Sequence, residues 1–269
     1  MRREKNNVRI EDGNIRSLVC SEALQGRIAR YATGLIEILG GNLVGVYLYG
    51  SLARGCYHAG PSDVDTIVVT GRDCAESEYP AILQVHKDVG APVDPVFVTE
   101  EQLNADVFPT PIGFLVKPIE GHKIVHVPEG RGDFLLQRQD AYEAGVALAG
   151  PSPREMIRPV PWPLLAESLD YLFPHIITRF KNPVLMLCRI AYAHTHHSLC
   201  CKRRAGEWAV EAFEERWRPM ISAALAQYAE GVTGPAATSM ELQEFEAYCA
   251  GYIRGLPSAV CSPQSQVKS

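Results

Sequence analysis

The order of apolar and polar positions indicates alternating helices and strands in the first half of the chain. Apolar residues recur at helical spacing between Ser21, a suitable N-terminal cap, and Gly40, which ends the pattern. Three buried-strand patterns follow, LVGVYLYG, DVDTIVVTG and APVDPVFVT, and a short helical pattern, YPAILQVHKDVG, separates the last two. GHKIVHVP is a candidate fourth strand. This order predicts an α/β (α+β) domain with a mixed sheet over residues 1–145.

The second half of the chain has helical patterns throughout. A helical pattern over 132–150 leads into a proline-rich joint at 151–163. Three further helical patterns follow, VLMLCRIAYAHTHH, GEWAVEAFEERW and PMISAALAQYAEG, and the last two carry an apolar stripe. We therefore expect an all-α helical-bundle domain over 146–262, followed by a disordered polar tail at 263–269.

Composition narrows the classes of function. The chain has 269 residues, of which 46% are hydrophobic and 21% charged, as in soluble globular proteins. Its 26 basic and 31 acidic residues give a net charge of −5, which argues against a nucleic-acid partner. Because no apolar run is long enough for a membrane span or a secretion signal, we expect a cytoplasmic protein in which most of the eight cysteines are reduced. A monomer is the expected state, although the sequence holds no direct signal of it.

The segment YLYGSLARGCYHAGPSDVD carries the strongest chemical signal. Asp63 and Asp65 open a strand pattern and, being two positions apart, share one face of it. Two carboxylates at that distance repel each other, so either the pKa of one is shifted or both share a cation. Mg²⁺ is the natural choice, since it binds one or two carboxylates together with phosphate oxygens. An Asp-x-Asp pair by itself is more often a solvated turn, but the residues that precede this pair favour a metal site.

That context is a Gly-Ser turn at the end of the preceding strand. Gly50 permits close approach of a phosphate, and Ser51 offers a hydroxyl and an N–H group at a helix start. A third carboxylate would complete a two-metal site or act as a general base, and Asp94 is the candidate if its strand lies beside that of Asp65. Pro92 and Pro95 flank Asp94, which also fits a sheet edge. The pattern predicts a phosphoryl-transfer site.

The segment YGSLARGCYHAGPSDVDTIVV resembles the signature of the polymerase-β-like nucleotidyltransferases, and among them the streptomycin/spectinomycin-type aminoglycoside adenylyltransferases. The similarity extends over roughly residues 40–232 and includes GDFLLQRQDAYEAGVALAGPSPREMIRPVPW and NPVLMLCRIAYAHTHHSLCCKRRAGEWAVEAF. It implies a two-domain enzyme that transfers AMP from ATP to a hydroxyl group of a small molecule and releases pyrophosphate. The nucleotide would then lie between the domains.

The resemblance also implies roles for individual residues. Asp63 and Asp65 would hold two Mg²⁺ ions, and Asp94 would be the third carboxylate and the general base. The residues implied to contact the nucleotide are Gly50, Ser51, Ser62, Asp133, Arg189, Lys202 and Tyr228. Fixed cations such as Arg189 and Lys202 suit a leaving pyrophosphate. Tyr228 also lies on the apolar stripe, where a core role is equally expected.

The sequence departs from this family where a polycationic drug would bind. Acidic residues are expected just before the apolar helix, but the chain has Arg179 and Lys181 there, and IGFLVKPIEGHK lacks a tryptophan. Such a pocket would repel an aminoglycoside. The alternatives left open are therefore an aminoglycoside adenylyltransferase that confers antibiotic resistance, an enzyme that modifies a protein hydroxyl, and a nucleotide-binding module without catalysis.

The segment HTHHSLCC raises a separate question of metal binding. Its candidate soft-metal ligands are His194, His196, His197, Cys200 and Cys201. On one helix His194 and His197 share a face that excludes His196, and the spacing matches no familiar zinc pattern. A loop between two helices is the favoured interpretation.

Overall fold

The computed structural model describes residues 8–58, 62–118, 122–232 and 237–256. The predicted tail at 263–269 lies outside these ranges. The strands are β1 (Leu43–Leu48), β2 (Val64–Thr70), β3 (Val93–Thr99), β4 (Phe114–Lys117), β5 (Lys123–Val125) and β6 (Val146–Ala149). The helices are α1 (Asp12–Arg16), α2 (Glu22–Leu39), α3 (Gly50–Ala53), α4 (Tyr79–Val89), α5 (Glu100–Leu103), α6 (Phe134–Ala144), α7 (Pro153–Met156), α8 (Trp162–Leu172), α9 (Ile176–Arg179), α10 (Pro183–His196), α11 (Lys202–Ala212), α12 (Arg218–Ala229) and α13 (Ser239–Arg254).

The first half of the chain is built on one mixed sheet. Within the described ranges the strand order is β5-β4-β3-β2-β1-β6, and β2 and β3 run parallel while the other neighbours run antiparallel. Alternate residues of β2 serve opposite faces: Val68 packs with α2 and α4, whereas Ile67 and Val69 pack with Phe134 of α6. The predicted mixed sheet is confirmed. The predicted N-terminal cap of α2 is confirmed as well, because the Leu24 N–H donates to the Ser21 hydroxyl.

Two strands were not anticipated from the pattern. The helical pattern over 132–150 was expected to continue through Val146–Ala149, but this segment is β6, which pairs with β1. Gly145 ends the helix, and a four-residue apolar run cannot be assigned to helix or strand by periodicity. The predicted boundary at 145/146 thus falls directly before a strand of the sheet. Phe114–Lys117, also unpredicted, is β4, and it pairs with the predicted fourth strand, which is β5.

The second half of the chain is helical and surrounds α10. Nearly every residue of α10 from Pro183 to Ala193 is buried, so this helix needs neighbours on all sides. It packs against α11, α12 and α13, and they share one hydrophobic core. The predicted stripe contributes Phe213, Trp217, Ile221 and Tyr228 to that core. Within the described ranges, no helix has the combination of length and apolar character required to cross a membrane.

The proline-rich joint between the halves is held by one buried guanidinium. Arg138 of α6 is completely buried. It donates hydrogen bonds to the carbonyls of Arg158 and Pro159 in the joint (3.1 and 3.2 Å) and to that of Ala105 (3.0 Å), and it pairs with Asp106 (2.6 Å). A charge can be buried at this depth because each of its three nitrogens donates to a partner.

Replacing Arg138 with Met should lower the free energy of unfolding by about 3 kcal/mol, because the carbonyls and Asp106 lose a buried charged donor. Urea denaturation measures this. The control is Arg203→Met, since Arg203 forms only an exposed pair with Glu207 on α11, and that variant should stay within about 0.5 kcal/mol of the parent. Equal unfolding midpoints for both variants would refute this account of the joint.

Candidate active site

The predicted carboxylates meet at one edge of the sheet. Asp63 immediately precedes β2, and Asp65 is its second residue. In the parallel pairing of β2 with β3, Asp65 stands directly opposite Asp94, so these two side chains lie on the same face of the sheet. Asp94 was predicted as the third carboxylate on the condition that its strand lies beside that of Asp65, and the pairing of β2 with β3 meets this condition.

The Gly-Ser turn lies against the Asp65 carboxylate. Gly50 has a φ of +74°, and a Cβ atom placed there would lie 2.2 Å from the Asp65 Oδ2 atom. A side chain at position 50 would thus displace Asp65 as well as strain the backbone. Glycine is required here for close approach to a carboxylate, in addition to the approach of a phosphate that the sequence suggested.

The charge at this edge is unbalanced within the protein. The pKa of Asp65 is raised to about 7, first by burial and then by the neighbouring carboxylates Asp94, Asp63 and Asp140, while Arg189 opposes them. A carboxylate in this position is stabilised by a cation that removes the repulsion. Asp63 and Asp65 on one face of the cleft are hard oxygen donors of the kind that Mg²⁺ prefers, so these residues fit a magnesium ion.

Asp94 has a different immediate partner. Its Oδ1 atom is 2.5 Å from the Nζ atom of Lys117, the last residue of β4. In the described part of the chain, no three His, Cys, Asp or Glu side chains come together in a group that could hold a metal ion. The role of Asp94 as third metal ligand therefore stays a prediction.

A cleft of about 370 Å³ lies between the sheet domain and the helices. It is lined by every predicted site residue except Asp94, namely Gly50, Ser51, Ser62, Asp63, Asp65, Asp133, Arg189, Lys202 and Tyr228. Arg54, Asp140, Arg179 and Lys181, none of which was predicted as a nucleotide or metal contact, line it too. The cleft thus places two acidic residues of β2 opposite cations of the helical half.

The cations of the cleft form a second cluster. Lys202 begins α11, and its pKa falls to about 8 because it is buried and lies near Arg189 and Lys181, although Asp65 and Asp63 act in the opposite direction. Its ammonium group also lies 6.0 Å from the centre of the Tyr228 ring. Cations held this close together are mutually destabilising until an anion binds between them.

Tyr228 and Asp133 have partners within the protein. The Tyr228 hydroxyl donates to the carbonyl of Cys56 (3.3 Å), which ties α12 to the loop after α3. Asp133 accepts hydrogen bonds from Arg131 (2.5 and 3.1 Å) and Gln137 (3.3 Å). Both side chains line the cleft, so each combines a structural contact with a position beside a ligand.

The His and Cys residues of HTHHSLCC are spread over different neighbours. His197 stacks on Trp162 at 4.1 Å between ring centres, and His196 lies against Tyr192 at 4.3 Å. His194 lies 3.3 Å from Asp170. The rings are accounted for by aromatic packing and one carboxylate, and Ser198–Cys201 connects α10 to α11 as a loop, as favoured above.

Comparison with known proteins assigns both halves of the chain to families of nucleotide-transferring enzymes. Residues 30–125 match the family model of the nucleotidyltransferase domain, and residues 156–251 match that of the aminoglycoside adenylyltransferase C-terminal domain. A spectinomycin 9-adenylyltransferase of Campylobacter jejuni is 22% identical over 207 residues, which cover 71% of this chain and 80% of that protein. An aminoglycoside (3'') (9) adenylyltransferase of Klebsiella pneumoniae is 31% identical over 127 residues, 45% of this chain and 48% of that protein.

A solved structure shares the fold. The spectinomycin adenyltransferase AAD(9) of Enterococcus faecialis, crystallised with ATP and spectinomycin, superimposes with a TM-score of 0.68 at 15% identity, over 85% of this chain and 98% of that one. The chain is an enzyme of the nucleotidyltransferase class. It carries, in that order, the nucleotidyltransferase domain and the aminoglycoside adenylyltransferase C-terminal domain, and the family resemblance predicted from its sequence is confirmed.

Substituting Gly50 with Ala should abolish magnesium-dependent turnover, because the new Cβ atom occupies the space of the Asp65 carboxylate. The matched control is Gly55→Ala. Gly55 has a similar φ of +67° but nothing within 4 Å of a Cβ atom, so its cost should be confined to about 1 kcal/mol of backbone strain. Activity assays and thermal melts on both variants measure the difference. Equal losses of activity would mean that strain, not contact with Asp65, is the cause.

The raised pKa of Asp65 predicts a pH-dependent stability without Mg²⁺. Because the pKa of Asp65 in the folded state exceeds its ordinary value, folding favours the protonated carboxyl group. Its contribution to the free energy of unfolding is therefore fully present below about pH 4 and is lost as the pH rises through about 7. Asp65→Asn should therefore be more stable than the parent at pH 8 by a few kcal/mol, since one pKa unit corresponds to about 1.4 kcal/mol. Denaturation at pH 5 and 8 without metal tests this, with the exposed Asp88→Asn as control. The same pH slope in Asp65→Asn and the parent would contradict it.

Proposed function

We propose that this protein transfers AMP from MgATP to a hydroxyl group of a small molecule and releases pyrophosphate. The observation that supports this best is that Asp63, Asp65, Arg189, Lys202 and the Gly50 turn line one cleft, in which the cations interact with the carboxylates. Carboxylates that need a cation, placed opposite cations that need an anion, match a magnesium-bound triphosphate. The names of the relatives, all adenylyltransferases, point to ATP as the nucleotide.

The residues of the cleft, and Asp94 beside Asp65 on the sheet, have separate tasks in this reaction. The acceptor oxygen attacks the α-phosphorus in line, the bond to the bridging oxygen breaks, and pyrophosphate leaves with the electron pair. Asp94 takes the acceptor proton through Oδ2, since Lys117 occupies Oδ1. Lys202 and Arg189 stabilise the charge that develops on the pyrophosphate. Two Mg²⁺ ions held by Asp63 and Asp65 would neutralise the triphosphate and orient it for attack.

The nature of the acceptor follows less directly from the site. The relatives are named for spectinomycin and aminoglycosides, so an aminoglycoside adenylyltransferase that confers resistance is the second candidate. Arg179 and Lys181 line the cleft and have no ion pair within the described part of the chain. They raise the positive potential there and disfavour a polycation. We therefore keep the wider acceptor class, a small hydroxyl compound, as the primary proposal.

The test is pyrophosphate release with Mg²⁺ and each of the four nucleoside triphosphates, against streptomycin, spectinomycin and neutral or anionic hydroxyl compounds. We expect release with ATP and a mass increase of one AMP on the acceptor. Asp63→Ala and Asp65→Ala should each abolish turnover, while Asp88→Ala on the exposed face of α4 should not change it. Full activity in either cleft variant would contradict the metal assignment. Release with either antibiotic would establish the second candidate.

A further inference from the structure

Asp140 of α6 lines the cleft beside the Gly50–Ser51 turn. Its side chain is 4% exposed and connects three elements. The Gly50 N–H donates to Oδ2 at 2.7 Å, the Arg54 Nε–H donates to Oδ1 at 2.7 Å, and Arg189 Nη2 approaches Oδ1 at 3.7 Å. The Asp140 carboxylate thus contacts the Gly50–Ser51 turn, Arg54 at the end of α3, and Arg189 of the helical half.

The contact with Gly50 fixes the turn against Asp65. The Gly50 N–H group stands at the start of α3, where it has no partner within the helix. Its hydrogen bond to Asp140 fixes the turn at a point where the space of a Cβ atom is taken by Asp65 Oδ2.

The contact with Arg189 orients a cation that belongs to the other half of the molecule. Arg189 keeps 27% of its side chain exposed, and within the described ranges Asp140 is the one carboxylate that forms an ion pair with it. Arg54 already satisfies Asp140 at close range and also pairs with Glu143 at 2.8 Å. Arg189 therefore approaches Asp140 through one nitrogen, Nη2, and lines the same cleft as Lys202 and Asp65.

We propose that Asp140 is a positioning residue for triphosphate binding, because it holds the Gly50–Ser51 turn and the Arg189 guanidinium in the relative placement that the β- and γ-phosphates require. This inference rests on the proposed function, since it takes MgATP as the ligand. It goes further in assigning the relative placement of the Gly50–Ser51 turn and Arg189 to a single buried carboxylate.

The experiment measures binding of α,β-methylene ATP with Mg²⁺ by calorimetry, so no acceptor is needed. Asp140→Asn should weaken binding by about tenfold, because the neutral amide releases Arg189 and binds the Gly50 N–H less strongly. The matched control is Glu143→Gln. It also removes a partner of Arg54 but touches neither Gly50 nor Arg189, so it should change affinity less than about twofold.

A second readout separates positioning from a general loss of structure. Arg189→Met should weaken binding in its own right, and in that background Asp140→Asn should cost clearly less than the about tenfold it costs alone, because the two residues act together. If Asp140→Asn does not fold, unchanged affinity in Arg189→Met is sufficient to overturn the inference. The inference would also be overturned if Asp140→Asn weakened nucleotide binding by the same factor in the Arg189→Met background as in the parent protein.

Failure of this inference and failure of the proposed function give different results. If the parent protein does not bind the nucleotide with Mg²⁺ at all, the proposed function fails. If the parent binds it and Asp140→Asn binds it equally well, MgATP remains the ligand and only the role of Asp140 is refuted.

Discussion

The repulsion among carboxylates at one buried sheet edge is the constraint on which the rest of this structure depends. Asp63, Asp65 and Asp94 are brought there by the parallel pairing of β2 and β3, and burial makes the charge of Asp65 costly. Cations from separate elements surround them: Lys117 from β4, Arg189 from α10 and Lys202 from α11. Even so, Asp65 keeps a raised pKa, so further positive charge is needed to complete the site.

The two halves of the chain are joined by the groups that build this site. Tyr228 of α12 binds the loop after α3, Asp140 of α6 reaches Arg189 of α10, and Arg138 of α6 holds the joint. α6 therefore links the sheet domain to the helices, with one of its charged residues near the cleft and another in the joint. This arrangement explains why the cleft lies between the halves: the sheet supplies acids, and the helices supply the cations that an incoming triphosphate requires.

Much of this could be anticipated from the sequence because it is encoded locally. The periodicity of α2, the cap at Ser21, and the spacing from Gly50 to Asp65 each involve neighbouring residues. Lys117, Arg54 and Asp140 could not be identified in this way, since their roles come from contacts across 23 to 90 positions of the chain. A charged residue on a buried face of α6 was the one available signal for Asp140. The short strands β4 and β6 could not be predicted for a related reason. They are strands because they pair with β3 and β1, and their local sequence pattern does not indicate this.

The central claim is that Asp63 and Asp65 form a divalent-metal site that holds the nucleotide. The most direct test is a titration of Mn²⁺, in place of Mg²⁺, followed by electron paramagnetic resonance in the presence of α,β-methylene ATP. Our account predicts that the parent protein and nucleotide together remove the free-ion signal, and that Asp65→Asn leaves it at the level given by nucleotide alone. Binding of the ion by Asp65→Asn as tightly as by the parent would contradict the account.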